Sequence, residues 1–119
     1  MGRIFFISLI LLTKSALAAD LDASQIRDQL VGQSIVWWDS VGWMGGNMVL
    51  LPDGHAQIKV ETPHPSSDRG NWSLQGNQVC TFWNSLRDGK AKCYSVHEIE
   101  AGHFITSGGN EFVVQSAGV

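Results

Sequence analysis

Histidines beside acidic residues are the first feature of this sequence that could support chemistry. His97 and His103, two of four histidines, lie near Glu98 and Glu100 and could approach each other across the turn between them as a divalent-metal site. Their spacing fits no recognised ligand motif, and strand histidines beside acids are usually ordinary surface residues. The sequence therefore predicts no metal and no cofactor.

Nucleophilic catalysis would have to use Ser66, Ser67 and Asp68, near His64 in a proline-bounded loop. The sequence contains no G-x-S-x-G elbow, no residue placed to orient a base and no phosphate-binding glycine loop. Eleven acidic residues permit many carboxylate pairs, and none stands out. We therefore expect no catalytic residue and a protein that is not an enzyme.

Three tryptophans and a glycine pair crowd the stretch WWDSVGWMGG, residues 37 to 46. Trp37 and Trp38 are neighbours on one predicted strand, so their side chains must point to opposite faces. Trp43 lies in the following connection, where it could sit at a barrel rim or fold back as a lid on the core. Under the functional hypothesis, the glycines let this loop close over a small apolar or carbohydrate ligand. The predicted ligand-binding residues are Trp37, Trp38, Trp43 and Met44.

The first 19 residues have the order of a secretory signal peptide. Arg3 precedes an apolar run at residues 4–12, and the small-x-small sequence at 16–18 is typical of a cleavage site. The run is too short to span a bilayer, although an uncleaved anchor is the alternative. We expect residues 20–119 to form one exported domain, periplasmic or secreted, without membrane insertion after cleavage.

The charge of the mature chain limits its partners. Residues 20–119 hold six Lys and Arg against eleven Asp and Glu, a formal charge of −5, and no basic cluster. Nucleic acids and anionic membranes select basic faces, so neither is expected as a partner. A small-molecule ligand or a periplasmic protein is the predicted partner.

Cys80 and Cys93 are the two cysteines of the chain. In an oxidising compartment an even pair usually forms a disulfide. A tight turn at Asp88-Gly89 would keep the two sulfurs too far apart, whereas a longer loop places Cys80 directly opposite Cys93. The second register is preferred, because it also places Tyr94 on the core face and the bridge on the outer face.

One helix and about eight strands are predicted. Residues 21–33 suit a short helix, with Asp22 or Ser24 as its N-cap and Gly32 just past its end. Short strands separated by turn sequences follow, and they predict an all-β, antiparallel up-and-down barrel. The helix is expected to lie against the barrel or plug one end. The predicted strands are residues 34–39, 46–52, 55–61, 69–75, 78–84, 91–97, 103–107 and 110–115.

A two-residue turn at Gly76-Asn77 fixes the register of one hairpin. It pairs Gly70 with Trp83, which we interpret as space cleared for an indole. One face of this hairpin is apolar enough to be core, and it carries Trp72, Leu74, Val79, Thr81 and Trp83.

Residues 68–96 resemble a group of small exported bacterial proteins of unknown function. The shared pattern is G-x-W (Gly70, Trp72), a turn, a cysteine (Cys80), a hairpin and a second cysteine (Cys93), all after an Asp53-Gly54 turn. This resemblance implies a lipocalin- or avidin-like barrel and carries over no catalytic residue.

The chain is also similar, more weakly, to periplasmic metalloprotease inhibitors, which are small barrels with a G-x-W element and a disulfide. In that family an N-terminal trunk inhibits the enzyme. The matching region here is residues 19–24, although the order and spacing of the elements differ. This similarity implies the alternative function, a protein-interaction module such as a periplasmic enzyme inhibitor or an envelope accessory factor.

Overall fold

The computed structural model describes residues 19–115, so the predicted signal peptide, apart from Ala19, lies outside the described residues. One helix, α1 (Ala23–Leu30), precedes the strands, and a tight turn segment, Leu86–Gly89, joins the fifth strand to the sixth. The strands are β1 (Ile35–Trp38), β2 (Gly45–Leu50), β3 (His55–Thr62), β4 (Ser66–Gln75), β5 (Gln78–Trp83), β6 (Lys92–Tyr94), β7 (Val96–Glu100), β8 (His103–Thr106) and β9 (Glu111–Val114). No helix among the described residues is long and apolar enough to cross a membrane.

The strands form one antiparallel sheet that closes almost completely into a barrel, which confirms the predicted fold class. The order around the sheet is β6-β5-β4-β3-β2-β1-β9-β8-β7. The two edge strands, β6 and β7, are consecutive in the chain and are separated by Ser95 alone. The predicted strand 91–97 is therefore two strands, because its first half pairs with β5 and its second half with β8. This division accounts for nine strands where eight were predicted.

The segment before α1 pairs with the free edge of β7. Asp20 forms an isolated antiparallel bridge with His97, and the Leu21 N–H donates to the Val96 carbonyl at 2.8 Å. On the other side of β7, the Ser107 N–H donates to the Ser95 carbonyl at 3.0 Å and continues the β7–β8 ladder past Val96. Because unpaired edge groups would otherwise need water or another chain, the Asp20–Leu21 segment satisfies part of this edge.

Helix α1 plugs one end of the barrel. Asp22 caps it in a capping box with Gln25: each side chain accepts the other residue's backbone N–H at 2.9 Å. Ile26 and Leu30 have no exposed surface, so the apolar face of the helix belongs to the core. The helix ends earlier than predicted, because Val31 leaves it to bridge Leu50 of β2.

The β4–β5 hairpin and the disulfide have the predicted registers. Gly70 pairs with Trp83, and Cys80 is bonded to Cys93 directly opposite it. The reason for Gly70 is different from the one predicted. A Cβ there would collide with the backbone carbonyl of Phe82, so glycine permits the close approach of two strands rather than making room for an indole.

The strand directions leave four connections at the end of the barrel opposite α1. These connections are residues 39–44, 63–65, 84–91 and 107–110. We call this end the open end. The tryptophan-rich stretch, residues 37–46, lies at this end, and so does the candidate site.

Candidate ligand-binding cavity

A cavity of about 280 Å³ occupies the barrel interior at the open end. Alternate residues of each strand point inward, so several strands contribute to its walls. The walls are mostly apolar and aromatic: Trp37, Met44, Met48, Ile58, Thr81, Trp83, Leu86, Tyr94 and Phe112. Four polar residues complete the lining: Asp39, Arg87, Lys92 and Asn110.

Trp37 is the predicted site residue that lies deepest. Its side chain is 8% exposed, and its indole N–H donates to the Asn47 carbonyl at 3.3 Å. On β1 the residues alternate between buried and half-buried, so Trp37 faces inward and Trp38 outward, as the strand geometry predicts.

The loop after Trp38 is held in place by one side chain. The carboxylate of Asp39 accepts the backbone N–H of Trp43 at 2.8 Å and that of Met44 at 3.2 Å. The Asp39 N–H in turn donates to the Met44 carbonyl at 2.9 Å. Gly45 and Gly46 belong to β2 rather than to the loop, so they do not supply the expected freedom to close over a ligand.

The four predicted ligand-binding residues therefore lie in three different places: the cavity, its rim and the outer wall of the barrel. Trp37 and Met44 both line the cavity. Trp43 is 66% exposed in the loop at the open end, so it lies at the rim and is not a lid on the core. Trp38 lies on the outer wall, where its ring centroid is 6.3 Å from that of His103.

The second loop of the cavity, residues 84–91, is held by Asp68, which the sequence placed in a turn before the strand. The structure extends β4 back to Ser66, so Asp68 lies within the strand, opposite Ile58. Its carboxylate accepts the N–H groups of Ser85 and Leu86 at 2.8 and 2.9 Å. Desolvation raises the pKa of Asp68, but the N–H groups of Leu86, Ser85 and Arg69 outweigh it and leave that pKa below its ordinary value.

Arg87 is a cavity residue that sequence reasoning missed. Arg87 and Asp88 have backbone φ angles of 57° and 55°, in the left-handed region that non-glycine residues seldom occupy. Such strain persists where the surrounding structure imposes it, and it often accompanies a functional role. The one signal in the sequence was the turn sequence RDG, which indicates a loop and not the direction of the arginine.

The charged residues of the lining are two cations, Arg87 and Lys92, and one carboxylate, Asp39. The four ion pairs found within residues 19–115 all involve a histidine, so in that range neither Arg87 nor Lys92 pairs with a carboxylate. Burial raises the pKa of the Tyr94 hydroxyl far above its ordinary value, and the nearby charge of Arg87 acts in the opposite direction. Tyr94 is therefore a neutral phenol at physiological pH.

The two histidines contact different acidic residues. His97 lies 3.5 Å from Asp20, and His103 lies 2.7 Å from Glu111 on a different part of the wall. Across the part of the chain that the structure describes, no three His, Cys, Asp or Glu side chains are grouped to hold a metal ion.

Comparison of the chain with protein-family models, with curated proteins and with solved structures finds no match. The resemblance to exported lipocalin- or avidin-like proteins stays a hypothesis. The functional assignment therefore depends on the geometry of the cavity.

Proposed function

We propose that this protein is a non-catalytic binding module that holds a small, largely apolar ligand in the cavity at the open end of the barrel. The observation that carries this proposal is the cavity itself, about 280 Å³ in volume, with Trp37, Trp83 and Phe112 in its walls. Binding sites for small molecules are typically concave and mostly apolar, with a few polar groups that orient the ligand. The plug formed by α1 leaves the open end as the entrance.

The volume indicates the size of the ligand. At about 280 Å³ the cavity lies near the lower end of the range of about 300–1,000 Å³ that is typical of small-molecule sites, so it suits a small ligand. A single aromatic ring system or a chain of about eight carbons is a ligand of this kind. The apolar walls favour such a molecule over a carbohydrate, because sugar hydroxyls would lose hydrogen bonds to water without replacing them.

A periplasmic or secreted location is part of the proposal. The Cys80–Cys93 disulfide is compatible with an oxidising compartment, and the signal-peptide pattern at residues 1–19 favours export. The ligand would then be a molecule of the periplasm or of the surroundings of the cell.

Filling the cavity is the direct test. Ile58 lines the cavity from β3 and is half-buried, so Ile58→Trp should occupy the space that a ligand needs. Ile99 on β7 is 50% exposed and lies outside the lining, so Ile99→Trp adds the same volume elsewhere. Isothermal titration with 1-octanol should show binding to the native protein and to Ile99→Trp but not to Ile58→Trp. Equal binding to both variants would exclude the cavity as the site.

A protein-interaction module is the second candidate, favoured by the exposed loop 39–44. Val41 and Trp43 are 79% and 66% exposed on this loop, and exposed aromatic residues often anchor protein partners. The segment expected to act as an inhibitory trunk is less suited, because Leu21 is buried and bonded to β7. A pull-down of the tagged mature protein from its own periplasm should lose a protein partner with Trp43→Ala but keep it with Ile58→Trp.

A further inference from the structure

Two cations line a mostly apolar cavity in a protein whose overall charge is negative. Arg87 and Lys92 both line the cavity, and within the described range neither forms an ion pair with a carboxylate. The one carboxylate in the lining, Asp39, already accepts two backbone N–H groups of its own loop. The lining therefore holds two cations and one carboxylate, and neither cation is neutralised in an ion pair within the described range.

The backbone directs Lys92 toward the cavity, and Arg87 lies at its mouth. Lys92 pairs with Thr81, and paired residues of antiparallel strands share a face, so the lysine side chain starts on the inner face beside a buried threonine. Its amine lies beside Gly108 in the turn between β8 and β9. A Cβ built on that glycine would be 3.4 Å from Lys92 Nζ. Arg87 belongs to the loop that Asp68 holds, and it is an exposed residue of the cavity lining.

We infer that the ligand is an anionic amphiphile: a carboxylate attached to a small apolar body, with the apolar part in the cavity and the carboxylate between Arg87 and Lys92. This inference rests on the proposed function and names the ligand class for the same site. Guanidinium and ammonium groups bind carboxylates through charge-assisted hydrogen bonds, and a wall of low polarity beside them strengthens the attraction. An apolar cavity without these cations would select a neutral ligand.

Octanoate, 1-octanol and octylamine form a matched set of probes, because they share an eight-carbon chain and differ in the charge of the head group. We expect isothermal titration at neutral pH and low salt to give the order octanoate, then 1-octanol, then octylamine. Arg87→Gln or Lys92→Gln should weaken octanoate binding on the order of tenfold and leave 1-octanol binding unchanged. Added sodium chloride should weaken the binding of octanoate more than that of 1-octanol.

Lys90→Gln is the matched control. Lys90 lies in the same loop as Arg87, is exposed and does not line the cavity, so this variant should bind octanoate like the native protein. Thermal melting of each variant checks that the barrel is intact. If 1-octanol binds as tightly as octanoate and the Arg87 and Lys92 variants match Lys90→Gln, the anionic ligand is excluded while the cavity remains a binding site. If none of the probes binds, the proposed function fails as well.

Discussion

Trp37 and Trp43 are six residues apart, yet their side chains are 8% and 66% exposed. The difference comes from position: Trp37 is on the inner face of β1, whereas Trp43 is in a loop whose backbone is fixed by Asp39. A buried indole contributes to folding through its packing, and an exposed one contributes little. Each of these residues should therefore affect a different property of the protein.

Alanine variants should separate these two roles. Trp37→Ala should lower the free energy of unfolding by about 3–5 kcal/mol, because it leaves a space in the core. Trp43→Ala should change that free energy by less than about 0.5 kcal/mol, since its ring is mostly in water. Urea unfolding followed by circular dichroism measures both. A loss above about 2 kcal/mol for Trp43→Ala would show that its ring packs on the core in solution.

At the scale of elements, a single carboxylate connects β4 to the loop that carries Arg87. Asp68 accepts N–H groups from Ser85 and Leu86, 17 and 18 residues further along the chain. Arg87 directly follows the second of these residues. A strand residue therefore helps to position the loop, together with hydrogen bonds within the loop from Asp88 to Ser85 and from Lys90 to Arg87.

Asp68→Ala should release this loop, and the effect should depend on pH. At pH 7 the variant should lose about 2 kcal/mol of unfolding free energy, because charge-assisted hydrogen bonds to two loop N–H groups are removed. The folded pKa of Asp68 is below its ordinary value of 3.8, so its contribution is complete above that pH and disappears as the pH falls through the folded pKa.

Urea midpoints of the native protein and of Asp68→Ala, compared at pH 7 and at about pH 2.5, measure this dependence. We expect the difference between the two proteins to shrink at the lower pH. A difference of the same size at both pH values would show that Asp68 acts through packing and not through its charge.

The elements that the sequence predicted well are those set by neighbouring residues. The Asp22 cap, the Gly76-Asn77 turn and the pairing of Cys80 with Cys93 each depend on local spacing. The break at Ser95 was missed, because the strand pattern continues across it and only the change of partner strand divides it. The bonds from Asp68 to the loop were missed because nothing local links residues so far apart.

In the candidate site, too, the sequence predicted what neighbouring residues decide and missed what distant residues decide. Alternation along β1 predicted that Trp37 and Trp38 face opposite ways, but it left open which of them faces the interior. The choice depends on the closure of the whole barrel, which places Trp37 in the cavity and Trp38 on the outer wall. Arg87 and Lys92 come from segments distant from β1, so no motif could have joined them to the tryptophans.

At the scale of the whole molecule, the segment before α1 extends the sheet at the free edge of β7. Residues Asp20 and Leu21 add a short stretch of backbone to the free edge of β7, and the Leu21 side chain is 3% exposed. The two ends of the barrel thus differ: this segment and α1 close one end, and the other end contains the cavity.

Leu21→Ala should weaken this closure. We expect a loss of about 2–5 kcal/mol of unfolding free energy, the range for a buried leucine, measured by urea unfolding. Asp22→Ala is a useful comparison, because it removes the helix cap but leaves the segment on β7, and it should cost only about 1 kcal/mol. Equal losses for the two variants would mean that the segment matters only through the helix.

The most direct test of the cavity as a binding site uses the indole N–H signals of the five tryptophans in ¹⁵N-labelled protein. Trp37 and Trp83 line the cavity, whereas the lining does not include Trp38, Trp43 or Trp72. With saturating octanoate or 1-octanol, the indole signals of Trp37 and Trp83 should shift and the other three should stay in place. Shifts confined to Trp38 or Trp43, or the absence of any shift, would contradict a ligand-binding cavity at the open end.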